Sequence, residues 1–202
     1  TLHPDLLVWT APAQVIGDML EMPNWNLTFL DSVMYNYELE GAPPMKYQWI
    51  YYGSKDFKIN RVSIPANFGS HTAPDGRNGI CCELCSLDDD GTWKDPESLI
   101  DDVTDDLLKA KLIRSKEEVH GVHIEKIRNS YPIYTIDYRK KLHNAMSDLS
   151  RFGNLLLLGR TGTFWYNNMD HSIRMALDMS KTITSGGNID GWRQHVMENR
   201  DL

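Results

Sequence analysis

The stretch Leu155-Leu-Leu-Leu-Gly-Arg-Thr-Gly-Thr-Phe-Trp-Tyr-Asn-Asn-Met-Asp-His-Ser-Ile173 decides how this chain is read. Its four leucines form a continuous apolar run of strand length, the kind buried on both faces in parallel sheets. Gly159 and Gly162 then open a loop in which backbone can come close to a ligand. A helix entered at Asn168 offers unpaired amides and the positive end of its dipole. That geometry suits an anion such as a phosphate, or a ring that becomes electron-rich on reduction. Arg160 can pair with a phosphate. A strand–glycine–helix passage is also the form of an ordinary structural turn, with Asn168 as N-cap and Asp170 complementing the dipole.

Outward from this stretch, the chain alternates strands and helices. Leu6–Thr10 is a short apolar strand ended by Pro12, and Ala13–Leu20 follows as a helix with Val15, Ile16, Met19 and Leu20 inward. Asn26–Leu39 alternates apolar residues, and the Gly41–Pro44 turn breaks it. Lys46–Tyr52 is an aromatic-rich strand; Arg61–Ile64 and Gly79–Ser86 continue a largely antiparallel sheet. Asp75–Gly79 is a turn by composition. Pro96 opens a helix in which Leu99, Val103 and Leu107 recur at helical spacing. Val119–Arg128 is a strand with no clear apolar face. Asp137–Leu149 is helical, Asn154–Leu158 is the buried strand, Met169–Lys181 is a helix, and the last residues form a short polar helix.

Bulk properties exclude several functions. The 202 residues carry a net charge of −7, and no basic face is available to bind nucleic acid. No apolar run approaches the roughly 20 residues of a membrane span, and no signal peptide is visible. The acidic run Asp88, Asp89, Asp90, Asp95, Glu97, Asp101, Asp102, Asp105 and Asp106 lacks calcium-loop spacing and reads as solvated surface. Cys82 and Cys85 have the spacing of zinc or redox pairs but fall on opposite faces of a strand, and no second ligand pair exists. His120 and His123 are separated in the same way. Reduced thiols fit a cytoplasmic location. The chain begins at Thr1, directly before a strand, which leads us to expect a fragment of a longer protein.

The wording of Gly159–Asp170 resembles the C-terminal flavin motif of the amine-oxidase and protoporphyrinogen-oxidase superfamily, especially its UDP-galactopyranose mutase-like branch. The resemblance implies that Gly159 and Arg160 lie near the FAD pyrophosphate and ribityl chain, with Gly162 in the same cofactor-binding segment. It implies that Asn168, Met169 and Asp170 present amides to the flavin, where the helix dipole stabilises reduced flavin. Asp5–Pro12, Trp49–Tyr52 with Phe57, Arg61 and Phe68, and Tyr131-Pro-Ile-Tyr134 resemble further parts of the same family. Two departures stand out. No Gly-x-Gly-x-x-Gly follows a strand, so the N-terminal FAD-binding half is expected to be missing. Asn168 also stands where the mutases usually carry an acid.

The implied fold is α+β: an antiparallel-rich substrate-domain sheet with helices, plus the C-terminal strand and helix of an FAD-binding domain. The expected partition is 1–22 for the end of the first half of the FAD domain, 23–130 for a substrate-binding sheet domain, 131–184 for the C-terminal FAD-domain part and 185–202 for a polar tail. The implied function is hydride transfer from a small organic substrate to flavin, with the catalytic residues unassigned and no metal. Tyr51, Tyr52, Arg61 and Tyr134 are expected as pocket walls, although aromatic residues on sheets also simply pack. One alternative is a sugar-nucleotide mutase using reduced flavin; another is a non-catalytic α+β interaction module. Arg61 and Arg139 are candidates for pairing a nucleotide diphosphate, and ordinary surface arginines otherwise. His171 beside Asp170 is not read as a catalytic pair, because neighbours on a helix face different ways. This chain alone is expected to bind FAD weakly or not at all.

Overall fold

The structure, a computed structural model, describes residues 3–69, 71–87, 90–187 and 189–198. Asp88 and Asp89 of the acidic run and the last four residues of the polar tail lie outside them. In chain order the strands are β1 (Leu7–Trp9), β2 (Phe29–Glu40), β3 (Trp49–Tyr51), β4 (Arg61–Ser63), β5 (Arg77–Ser86), β6 (Val119–Pro132) and β7 (Leu155–Leu157). The helices are α1 (Ala13–Met19), α2 (Gly91–Lys94), α3 (Ile100–Lys109), α4 (Tyr138–Leu149), α5 (Gly159–Gly162), α6 (Met169–Thr184) and α7 (Ile189–Glu198). The fold is α+β, and it forms two compact units, residues 30–130 and residues 1–29 with 131–202.

The first of these, the sheet unit, is a five-stranded sheet in the order β3-β4-β5-β2-β6. The β3–β4, β4–β5 and β2–β5 pairs are antiparallel. Period-two alternation sends Val33, Tyr35, Tyr37 and Leu39 of β2, with Ile80, Cys82 and Leu84 of β5, into one core. The apolar stripe of α3, Val103 and Leu107, belongs to the same core. Burying tyrosines demands partners for their hydroxyls. Tyr35 Oη donates to the Pro96 carbonyl at 2.8 Å, and Tyr37 Oη lies 3.0 Å from Thr104 Oγ1. Burial pushes the Tyr35 phenol up to about 12, and Tyr37 higher still.

Three sequence readings change here. The strand expected from Asn26 starts only at Phe29, because Asn26 has a φ of 55° and its N–H is held by Asn24 Oδ1 at 2.7 Å. The strand expected over Lys46–Tyr52 shrinks to three residues, since the Asn67 amide clamps the Met45 and Tyr47 carbonyls into a loop at 2.7 Å each. Strand β6 does have a face: Val122 and Ile124 pack on the core, with Val119 joining them at the strand's start. The three cysteines are free, with Cys82 in the core and Cys81 and Cys85 on the opposite sheet face.

The other, strand–helix unit pairs β1 and β7 in parallel, from Leu7↔Leu155 to Trp9↔Leu157. Its core holds Ala13, Ile16, Trp25, Ala145, Leu149 and Leu155, and a second cluster holds Leu156, Met175, Met179 and Trp192. The inward face of α1 is Ala13, Ile16 and Gly17, not Val15, Met19 and Leu20, which are exposed. Gly17 explains the rotation: a Cβ there would sit 2.5 Å from the Trp25 ring, so the indole takes the space a side chain would need. Among the described residues, no helix is long and apolar enough to cross a membrane.

Candidate functional site

The quoted stretch folds on the C-terminal side of β7. Leu158 N–H donates to the Trp9 carbonyl at 2.9 Å, and the strand then ends at Gly159 with φ of +74°. Only glycine takes that conformation without strain, and no other atom lies within 4 Å of where a Cβ would stand. The expected loop is instead the single turn α5, closed by Thr163 N–H and Oγ1 on the Gly159 carbonyl at 3.1 and 2.7 Å. Gly162 serves a different need. A Cβ there would lie 2.8 Å from the Trp9 carbonyl oxygen and 3.3 Å from Thr10 Cα, so α5 sits directly on backbone.

Arg160 is held by its own loop. Its Nη1 donates to the Asn167 carbonyl at 3.0 Å, and its guanidinium lies over the Tyr131 and Tyr166 rings, 4.6 and 4.3 Å from their centroids. Tyr134 Oη accepts the Tyr166 N–H at 2.7 Å, and its ring stacks on Tyr138 at 4.5 Å. Tyr134 therefore fixes the loop. Phe164, with φ of 51°, is buried against Phe29 and Tyr134 at 4.9 and 6.1 Å.

Three buried side-chain donors in this loop, Arg160 Nε, Trp165 Nε1 and Asn167 Nδ2, have no hydrogen-bond partner among the described residues. An unsatisfied buried donor costs about 1–3 kcal/mol. All three lack an acceptor, so an acceptor-rich ligand fits them. Sequence reasoning missed Trp165 and Asn167. The available signal was an indole and an amide, each needing a partner if buried, in a short passage between a buried strand and a helix.

The 16-residue helix α6 follows. Asn168 occupies the N-cap position but makes no side-chain cap, and beside it Ser172 Oγ donates to Asn167 Oδ1 at 3.0 Å. Asn168, Met169 and Asp170 are exposed, leaving the positive helix end accessible. His171 Nδ1 and Asp170 Oδ1 are 3.2 Å apart, so the two side chains do meet. Both are exposed.

The remaining expected residues lie in the sheet unit. Tyr51 is exposed on the face away from the core, cross-strand from Arg61. Tyr52 points the other way, half-buried against Phe57 at 4.7 Å, with its phenol pushed up by burial. Alternation along β3 separates Tyr51 and Tyr52, so they do not form one wall. Arg61 Nε lies 2.7 Å from Glu83 Oε2. Arg139 is exposed, with its Nε 3.3 Å from Tyr138 Oη. No three His, Cys, Asp or Glu among the described residues converge as a metal ligand set.

No model of a known protein family matches the sequence, and no curated protein does. The fold, however, is shared with several solved structures. A structure of reduced UDP-galactopyranose mutase matches 98% of this chain at TM-score 0.82 and 18% identity. A candidate protoporphyrinogen oxidase from Exiguobacterium matches 78% at TM-score 0.58 and 16% identity, covering 36% of that protein. An oxidoreductase from Methanosarcina mazei matches 79% at TM-score 0.51 and 13% identity, covering 38%. The chain spans 44% of the length of the mutase.

Proposed function

We propose that this chain is the C-terminal part of an FAD-dependent oxidoreductase, with Gly159, Arg160, Gly162, Asn168, Met169 and Asp170 forming its cofactor-binding segment. The observation that carries the reading is the set of three buried, unpartnered donors at Arg160, Trp165 and Asn167, immediately before an uncapped helix end. Donors of this kind suit the carbonyl and phosphate oxygens of a flavin dinucleotide. Bound FAD would supply the hydride acceptor. The chain's own residues would do the rest. The first amides of α6 would hold negative charge, Gly159 would leave its side of the backbone open, and Gly162 would keep α5 seated on the Trp9 carbonyl.

The N-terminal half of the cofactor domain is, in this reading, a partner segment outside these residues. Parallel sheets are normally covered on both faces and extend beyond two strands. Here β1 and β7 pair only with each other among the described residues. Leu7 and Val8 of β1, and Met169, Ile173 and Leu177 along one stripe of α6, are exposed. Further strands and a helix would cover them. Three free thiols fit a reducing, cytoplasmic setting.

The test is the absorption spectrum of purified protein, prepared from this chain alone and from a longer chain with the upstream coding region restored. Stoichiometric flavin in the longer chain only is the expected result. Absence of flavin from both would leave a non-catalytic module. The mutase reading shares the fold, and a requirement for prior reduction by dithionite separates it from net oxidation.

A further inference from the structure

In the strand–helix unit, exposure and backbone pairing together mark one edge of the short sheet as unfinished. Leu7 and Leu155 lie opposite each other and share one face, and Val8 and Leu156 share the other. Leu155 belongs to the cluster with Ala13 and Ile16 of α1 and Ala145 and Leu149 of α4, whereas Leu156 belongs to the cluster with Met175 and Met179 of α6. Helices therefore lie on both faces of the sheet. They bury β7, with Leu155 and Leu156 at 5% and 1% exposure, but leave Leu7 and Val8 of β1 at 39% and 41%. A strand beside β1 accounts for exposure on both faces at once, which a helix added to one face does not.

The backbone points to the same edge. Leu7 N–H donates to the Asn154 carbonyl at 2.7 Å, and the Trp9 carbonyl accepts the Leu158 N–H at 2.9 Å. In a parallel ladder a residue turns its N–H and C=O to one neighbouring strand, and the next residue turns its own to the other side. Leu7 and Trp9 thus face β7, and Val8 between them faces the open edge. On the far side of β7, Leu155 N–H is already taken by the Phe152 carbonyl at 3.0 Å, so the chain's own turn occupies the start of that edge. An open edge with apolar residues on both faces is a template for strand addition.

Resting on the flavoenzyme reading above, we infer that the edge of β1 receives a strand from the upstream part of the same protein, apolar on both faces and hydrogen-bonded to Val8. The sheet grows from β1, not from β7. More than half of the mutase that shares this fold lies outside the matched part, which is 44% of its length, so such a segment has room beyond these residues. A strand polar on one face would leave either Leu7 or Val8 uncovered.

The test is hydrogen exchange read amide by amide by NMR, in this chain and in a longer chain with the upstream coding region restored. In this chain the Leu7 and Trp9 amides should be protected and the Val8 amide should exchange nearly as fast as in an unstructured peptide. In the longer chain Val8 should slow by about a hundredfold or more, while Leu157, whose N–H faces the outer edge of β7, should gain nothing. Protection gained at Leu157 instead of Val8, or a Val8 amide still open in the folded longer chain, would overturn the inference. Protection of Val8 in this chain alone that rises with protein concentration would overturn it too, because a second copy would then be the occupant. Flavin content of the longer chain is a separate readout: Val8 protection without flavin sinks the flavoenzyme reading alone, and flavin with an open Val8 sinks this inference alone.

Discussion

The Gly162→Ala substitution places one methyl group against backbone that has nowhere to go. The added carbon would sit 2.8 Å from the Trp9 carbonyl oxygen, 3.3 Å from Thr10 Cα and 3.4 Å from the Ala11 carbonyl oxygen. None of these is the end of a flexible side chain, and Trp9 is tied into the β1–β7 pair by the Leu158 N–H at 2.9 Å. Relief requires α5 to move off β1. Overpacking of this kind costs about 1–3 kcal/mol, or a fall of about 4–8 °C in Tm at the middle of that range for a chain of this size. Urea unfolding followed by tryptophan fluorescence measures it. Gly159 provides the contrast, because its constraint is conformational, with φ of +74° and open space around it. Asparagine tolerates the left-handed region better than alanine, so Gly159→Asn should be milder than Gly159→Ala, whereas Gly162→Asn should be worse than Gly162→Ala. Unfolding of Gly162→Ala at the wild-type urea midpoint, or the same ranking at both positions, would refute the assignment of Gly162 to packing.

Other consequences can be checked on the same protein. Trp25→Phe removes the 2.8 Å hydrogen bond from the indole to Asp148 and should cost about 0.5–1.5 kcal/mol by urea titration, more if Asp148 is left without water. Leu107→Ala opens a cavity under the five-stranded sheet and should cost about 2–5 kcal/mol, seen as a loss of sheet-unit protection in hydrogen exchange. Cys85, pushed up by burial to about 11, should resist iodoacetamide at pH 8 in the native protein and react on denaturation. The same raised pKa gives the sign of a stability trend. The buried thiol's contribution is complete below the ordinary thiol range and is lost as pH rises towards about 11, so unfolding should become easier across that alkaline window.

Most of the architecture was legible because it depends on periodicity. Alternation over Asn26–Leu39 marked the strand that lines the core of the sheet, and the Leu99, Val103, Leu107 spacing marked the inward face of α3. The four leucines of residues 155–158 announced a strand paired in parallel. What failed had a local, non-periodic cause. The face of α1 was misread because an indole from Trp25 occupies the place of a Gly17 side chain, an event eight residues away that no helical wheel contains. Strand β3 was overextended because one amide, Asn67, captures two carbonyls of the segment before it.

The candidate site shows the same division at finer grain. Its two glycines look alike in sequence and act for opposite reasons, one to reach a positive φ and one to admit a neighbouring carbonyl. Arg160 reads from sequence as a free phosphate ligand, yet one of its donors closes the loop on Asn167 while its planar face lies against two tyrosines. What it keeps for a ligand is the buried Nε–H, alongside Trp165 Nε1 and Asn167 Nδ2. The cofactor reading therefore does not rest on the arginine's charge. It rests on three neutralised or neutral donors lacking acceptors, whose combined cost of several kcal/mol is relieved only by something that brings oxygen or nitrogen lone pairs. Replacing Trp165 by phenylalanine removes one such donor and keeps an aromatic ring. The variant should be as stable as the wild type or more so without ligand, and should bind flavin more weakly in the longer chain. Loss of stability together with unchanged flavin binding would mean that the indole N–H already has its partner, and the argument from unpaired donors would fail.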